Sequence, residues 1–161
     1  MADVHSAATR SKNMRAIRTQ DTAIELRVAA LLEQRGFIFH AQDKTLPGKP
    51  DFVVPEHQAI LLVHGCFWHH HHCYLFKTPA TRTQFWLDKI DGNVTRDARD
   101  RQALREQGWK VLVVWECALR GKFRLDDQAI GDRLEEWLFT IDGAAEIDYQ
   151  GIHLLKPANP A

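Results

Sequence analysis

Cysteine and histidine crowd into one short stretch, Gly65-Cys66-Phe67-Trp68-His69-His70-His71-His72-Cys73. Thiolate and imidazole are the donors Zn²⁺ prefers, and a structural site takes a tetrahedral set of them. The same stretch carries Phe67 and Trp68, flat rings of the kind that wedge between stacked bases. An imidazole beside them suits proton transfer near neutral pH. Four consecutive histidines at a terminus would read as a purification tag, but this run is internal and follows the apolar segment Ala59-Ile60-Leu61-Leu62-Val63.

Another cysteine, Cys117, closes a second apolar run, Lys110-Val111-Leu112-Val113-Val114-Trp115. If the two runs are neighbouring strands, their ends bring Cys117 beside Cys66. Cys66, Cys73, Cys117 and one imidazole then complete a closed Cys₃His zinc site. An extended backbone puts His69 and His71 on one side and His70 and His72 on the other, so spacing does not select the ligand. His71 is the expected one, because it is nearest Cys73 and leaves His69 free. The competing interpretation makes Cys117 a buried core thiol, a common fate of unpaired cysteine.

Carboxylates supply a second chemistry. Pro50-Asp51 opens a strand after the Pro47-Gly48 turn, which puts Asp51 at a sheet end where a hard cation such as Mg²⁺ can be held. The following strand ends in Val63-His64-Gly65, so the second ligand expected there is the backbone carbonyl of Val63, with His64 and His69 moving protons. Two Mg²⁺ ions at such a site would activate water and stabilise a leaving oxygen. Glu25 fits the last position of a Thr22-x-x-Glu25 capping box, and can also face the metal through water. Asp97 is either a surface helix acid or the carboxylate that orients His69.

Trp86, Lys89, Asn93 and Asp97 recur at helical spacing and share one stripe. Lys89 and Asn93 on that stripe can hydrogen-bond base edges. Phe67, Trp68 and Trp86 are expected to enter a base stack; the plainer alternative is that they shield the zinc. Arg10, Lys12, Arg15 and Arg18 form a basic arm with no acid among them, which reaches phosphates or is simply solvated. Met14 and Ile17 share a face of that arm if it becomes helical, and can wedge from the opposite groove.

The elements that must position these residues follow from periodicity. Residues 22 to 35 predict a helix, stopped by Gly36. Phe37 to His40, Asp51 to Val54 and Ala59 to Val63 predict strands; 83 to 107 a long helix; Lys110 to Trp115 a buried strand; 126 to 139 an amphipathic helix. Past Asp142 little pattern is visible. The predicted division is an arm at 1–20, a core at 21–142 and a tail at 143–161. The order is that of an α/β three-layer domain, a mixed sheet between helices. A three-strand meander with a helical crossover to a fourth strand is the core topology of restriction-type nucleases, an analogy of fold rather than function. In those nucleases the strand after the Asp brings Asp/Glu-x-Lys, which this chain lacks.

With 161 residues, 45% hydrophobic and 26% charged, the chain suits one soluble globular domain, and no apolar run is long enough to span a bilayer. Zero formal charge excludes an indiscriminate polycationic DNA binder. Three cysteines and no signal-peptide pattern point to a reducing compartment, the cytoplasm.

The block from Gly65 to Tyr74, together with Pro79-Ala80-Thr81-Arg82-Thr83 and Val114-Trp115-Glu116-Cys117-Ala118-Leu119, resembles the bacterial very-short-patch repair endonucleases (Vsr type). Arg10-Ser11-Lys12-Asn13-Met14-Arg15-Ala16-Ile17 and Leu46-Pro47-Gly48-Lys49-Pro50-Asp51-Phe52-Val53 match as well. The resemblance implies a restriction-endonuclease-like fold with one structural Zn²⁺ and catalytic Mg²⁺. It implies a strand-specific nick 5′ of the thymine in a T·G mismatch left by deaminated 5-methylcytosine. By the same resemblance Asp51 is the principal Mg²⁺ ligand and His69 the main catalytic histidine, assisted by Glu25, His64 and Asp97. Cys66, His71, Cys73 and Cys117 hold zinc; Phe67, Trp68 and Trp86 intercalate; Lys89 and Asn93 read the mismatch; Met14 and Ile17 clasp the duplex. One position departs: a family member carries Thr where this chain has Val63. The implied partners are mismatched duplex DNA and a MutL-type repair factor, with no membrane and a monomeric enzyme. The rival functions are a non-catalytic zinc-dependent DNA-binding module, which needs no Asp51, and a His-rich metal-handling protein, which needs no DNA.

Overall fold

The computed structural model describes residues 22–155. The basic arm, with Met14 and Ile17, lies outside them, as does the side chain of Thr22 in the expected capping box. Within them, one mixed sheet is built from β1 (His40–Ala41), β2 (Phe52–Val54), β3 (Ala59–His64), β4 (Lys110–Trp115), β5 (Ala145–Asp148) and β6 (Gly151–Leu154). The strands lie side by side in sequence order. β1, β2 and β3 form an antiparallel meander; β3, β4 and β5 run parallel; β6 returns antiparallel along β5. The parallel steps need helical crossovers. These are α2 (Thr83–Glu106) between β3 and β4, and α4 (Asp127–Thr140) between β4 and β5; α1 is Thr22–Gln34 and α3 the short Glu116–Leu119.

The continuous apolar runs are strands covered on both faces, as parallel strands between helices must be. Alternation divides them. Leu61 and Val63 of β3 and Leu112 and Val114 of β4 join a core with Val28, Leu32, Leu134 and Trp137 of α1 and α4. Ile60 and Leu62, with Val111, Val113 and Trp115, join the opposite core with Leu104, Cys66 and Cys117. Along α2 only Ile90 and Leu104 are buried, so most of this long helix faces solvent. No helix among the described residues is long and apolar enough to cross a membrane.

Two expectations need correction. The strand expected at Phe37 to His40 shrinks to His40–Ala41. Phe37 and Phe39 are buried, as the alternation implied, but β2 stops at Val54 before Pro55. Proline has no N–H to donate, so nothing there pairs with residues 37–39. The stretch past Asp142 is not patternless: β5 and β6 extend the sheet, and Ala145 and Ile147 are fully buried. Their brevity and the acids Glu146 and Asp148 hid the alternation.

Candidate active site and metal centre

Parallel register places His64 opposite Trp115, so the chain leaves β3 through Gly65-Cys66 beside the point where it leaves β4 through Glu116-Cys117. A carboxylate oxygen of Glu116 accepts the Cys66 N–H at 3.0 Å and fixes this junction. The loop after Cys66 folds back, and the donor atoms of Cys66, His71, Cys73 and Cys117 all lie within 4.8 Å of one another. Both Cys66 Sγ and Cys117 Sγ are 3.5 Å from Nδ1 of His71. The Cys66 thiol and the His71 ring pull the Cys117 thiol down to about 5 against its burial, while Cys117 pushes Cys66 up. This closed set of soft donors fits a divalent metal ion. The His71 ring stacks on Trp115, centroids 4.1 Å apart, and its Nε2 lies 3.8 Å from Asp148 Oδ2. At that distance the carboxylate acts on the ring through charge rather than through a hydrogen bond.

Beside this cluster opens a cavity of about 440 Å³ whose lining includes Glu25, Asp51, Val63, His64, His69 and Asp97. Asp51 precedes β2 and so faces the end of β3. Its Oδ2 accepts the Val63 N–H at 2.7 Å, and its Oδ1 accepts from Gln42 Nε2 at 3.2 Å. The same Gln42 nitrogen donates to Glu25 Oε2 at 3.2 Å. Burial raises Asp51 to about 6, although the Val63 amide, Gln42, His69 and Lys49 all pull the other way. The carboxylate is thus short of compensating positive charge, which fits a bound cation.

On the cavity's other wall the rings of His64 and His69 stack, 3.8 Å apart and 5° from parallel. His64 is buried and held neutral, its pKa pushed well below the usual range by desolvation, then by His69 and Arg101. Among the described residues its Nδ1 has no hydrogen-bond partner. His69 Nδ1 is 2.5 Å from Asp97 Oδ2, so the Asp97 side chain turns inward to the imidazole.

Trp68 stands on the cavity rim, 46% exposed. Its ring meets Phe67 at 5.1 Å and Trp86 at 6.0 Å, both edge-on, while Phe67 stacks on Phe76. The three expected rings form one aromatic ridge. Lys89 Nζ lies 5.8 Å over Trp86. Asn93 donates to the Trp68 carbonyl at 3.0 Å and accepts from Arg96, so its amide holds the ridge loop.

Gln42, Glu116 and Asp148 were not found by sequence reasoning. Gln42 follows a two-residue strand and sits at a left-handed φ of 55°, a position that carries no motif. Asp148 lies in the strand whose pattern was missed. A left-handed residue next to a carboxylate-bearing strand is the only local signal Gln42 offered.

A family model described as DNA mismatch endonuclease Vsr matches residues 2–75. The chain is 64% identical over 155 residues to the DNA mismatch endonuclease Vsr of Escherichia coli K12, covering 96% of this chain and 99% of that protein. It is 42% identical to the type II nicking enzyme V.XorIIP of Xanthomonas oryzae pv. oryzae, over 74% of this chain and 88% of the relative. With the type II nicking enzyme V.NmeAIP of Neisseria meningitidis serogroup A the identity is 38%, over 76% and 87%. Carrying that likeness along almost its whole length, around a carboxylate–histidine cavity and a thiol-rich cluster able to hold a metal ion, the chain belongs to the Vsr family of DNA mismatch endonucleases.

Proposed function

We propose that the protein is a DNA endonuclease of mismatch repair that nicks one strand of a duplex on the 5′ side of the thymine in a T·G mismatch. The observation that carries this is the exposed Trp68 ring on the rim of the cavity that holds Asp51, His69 and Asp97. A wedge and a cleavage site then share one wall. A T·G wobble is held less firmly than a Watson–Crick pair, so opening its stack costs less of the few kcal/mol that insertion demands. The six-stranded sheet, with Asp51 beside the end of β3, supports a restriction-endonuclease-like core.

Asp51 and the Val63 carbonyl are the proposed Mg²⁺ ligands. A strand residue turns its N–H and C=O toward the same neighbour, and the Val63 N–H already points at Asp51. Because only the main chain is used, the valine side chain costs nothing. When bound, Mg²⁺ supplies Lewis-acid stabilisation of charge on the phosphate. Glu25, through Gln42, holds the Asp51 carboxylate at a fixed angle. His69, with Nδ1 committed to Asp97, presents Nε2 for moving a proton to or from the reacting oxygen. His64, kept neutral by burial, backs the His69 ring. Cys66, His71, Cys73 and Cys117 are the proposed Zn²⁺ ligands, and they stiffen the loop that carries Phe67, Trp68 and His69. Phe67, Trp68 and Trp86 enter the base stack; Lys89 and Asn93 face the mismatch. Met14 and Ile17, outside the described residues, are proposed to clasp the far groove. One copy carries cavity, ridge and cluster together, which supports a monomer; the cytoplasm is its proposed location. A MutL-type factor is its proposed repair partner.

The test is one nicking assay. Duplexes with T·G or C·G at a methylation site are compared with Mg²⁺ and with chelator. Asp51→Ala should bind the T·G duplex and leave it intact. Binding without nicking by the unaltered protein would favour the non-catalytic DNA-binding module instead.

A further inference from the structure

Among the described residues that line the cavity, Lys49 is the only lysine or arginine. Its ammonium makes no hydrogen bond or ion pair with them, and it is near enough to Asp51 to favour the ionised carboxylate. An uncommitted, half-buried cation facing an acidic cavity calls for an anionic ligand.

The backbone holds Lys49 there. Its N–H donates to the Leu46 carbonyl at 3.1 Å, closing a tight turn. Lys49 itself sits at φ 49°, a left-handed conformation that costs a non-glycine residue about 1 kcal/mol. Gly48, at φ 73°, lies so close to α2 that a Cβ there would be 2.9 Å from the side chain of Asp100. On the far side, Pro50 and Asp51 accept backbone N–H groups of Asp43 and Gln42. The turn is fastened at both ends, and backbone strain is maintained at a residue whose side chain has no hydrogen-bond or ion-pair partner among the described residues. Strain of this kind concentrates where a side chain must be aimed.

The geometry points to Lys49 as a further catalytic residue, whose ammonium binds a non-bridging oxygen of the scissile phosphate. This rests on the endonuclease function proposed above. During hydrolysis a water oxygen bonds to phosphorus and gives up a proton, the ester P–O bond breaks and the leaving oxygen takes a proton, while charge builds on the non-bridging oxygens. Lys49 stays protonated throughout and exchanges no proton. It supplies a preorganised positive charge, from the turn before β2, at a site where β3 carries no lysine.

Single-turnover nicking of a T·G duplex at saturating enzyme and Mg²⁺ tests this, with Lys49→Met, Lys49→Arg and Lys49→Gly, the last suited to the left-handed backbone. Lys49→Met and Lys49→Gly should nick about 100-fold more slowly. Duplex binding without Mg²⁺ should stay within about threefold, and Lys49→Arg should recover most of the rate. A phosphorothioate at the scissile position should slow the unaltered enzyme stereoselectively, and that selectivity should shrink in Lys49→Met. Nicking by Lys49→Met within about threefold of the unaltered enzyme, or an unchanged phosphorothioate selectivity, overturns the assignment. Failure of the unaltered protein to nick at all would instead remove the endonuclease function, and this inference with it.

Discussion

Replacing Asp51 by asparagine should make the protein more stable while it abolishes nicking. In the cavity burial outweighs the hydrogen bonds of the Asp51 carboxyl and pushes it up to about 6 from 3.8. Between these values the folded chain binds the proton more tightly than the unfolded chain does. Stability therefore falls as pH rises through that window and stays lowered above it; below it both states are protonated and the effect vanishes. A shift of roughly two units at about 1.4 kcal/mol each sets an upper limit near 3 kcal/mol, and solvent at this half-buried side chain reduces it to about 1–3 kcal/mol. Asparagine keeps an acceptor for the Val63 N–H and carries no charge. In protein freed of Mg²⁺, near pH 7.5, Asp51→Asn should melt roughly 2–8 °C higher than the unaltered chain. The gap should close toward pH 4.5, where any acid weakening of the metal cluster affects both proteins alike and cancels. Added Mg²⁺ should raise the unaltered protein alone. A gap that is absent at pH 7.5, or equal at both pH values, refutes the claim that Asp51 is held as an undercompensated anion.

Gln42→Leu removes both donated hydrogen bonds that separate Glu25 from Asp51, so nicking should slow about 10- to 100-fold and the Mg²⁺ needed for half-maximal rate should rise, read from a Mg²⁺ titration. Cys117→Ser opens the closed donor set; the variant should lose its bound metal by elemental analysis and about 3 kcal/mol or more of stability by thermal unfolding. Trp68→Ala should weaken T·G binding about 10- to 100-fold, a stacked ring contributing roughly 1–3 kcal/mol, and should suppress the fluorescence rise of a base analogue beside the mismatch. An undiminished rise would show that this ring does not enter the stack.

The legible parts of the fold are those where period and length agree. Thirteen residues of α1, the long α2 and the amphipathic α4 all stand within a residue or so of expectation, since their caps and apolar spacing are local. The pairing of β3 with β4 was legible because both runs are apolar throughout, and with it came the meeting of Cys66 and Cys117. What could not be read depends on contacts distant in sequence. Gln42 acquires its role only because a left-handed residue swings its amide between α1 and β2. Asn93 carries the right spacing for its stripe, yet its partner is a carbonyl 25 positions away. Asp148 is buried at 7% exposure in a strand too short and too acidic to announce itself.

That last residue has a consequence for how the protein comes into being. Asp148 stands 3.8 Å behind the His71 ring, and the strand that holds it completes the parallel part of the sheet. A ribosome that has made everything up to Asp142 has already synthesised Cys66, Trp68, His69, His71, Cys73 and Cys117, but not this carboxylate. A chain halted there therefore holds the proposed catalytic and metal-binding residues without β5, the last parallel strand of the sheet, and without its fully buried Ala145 and Ile147.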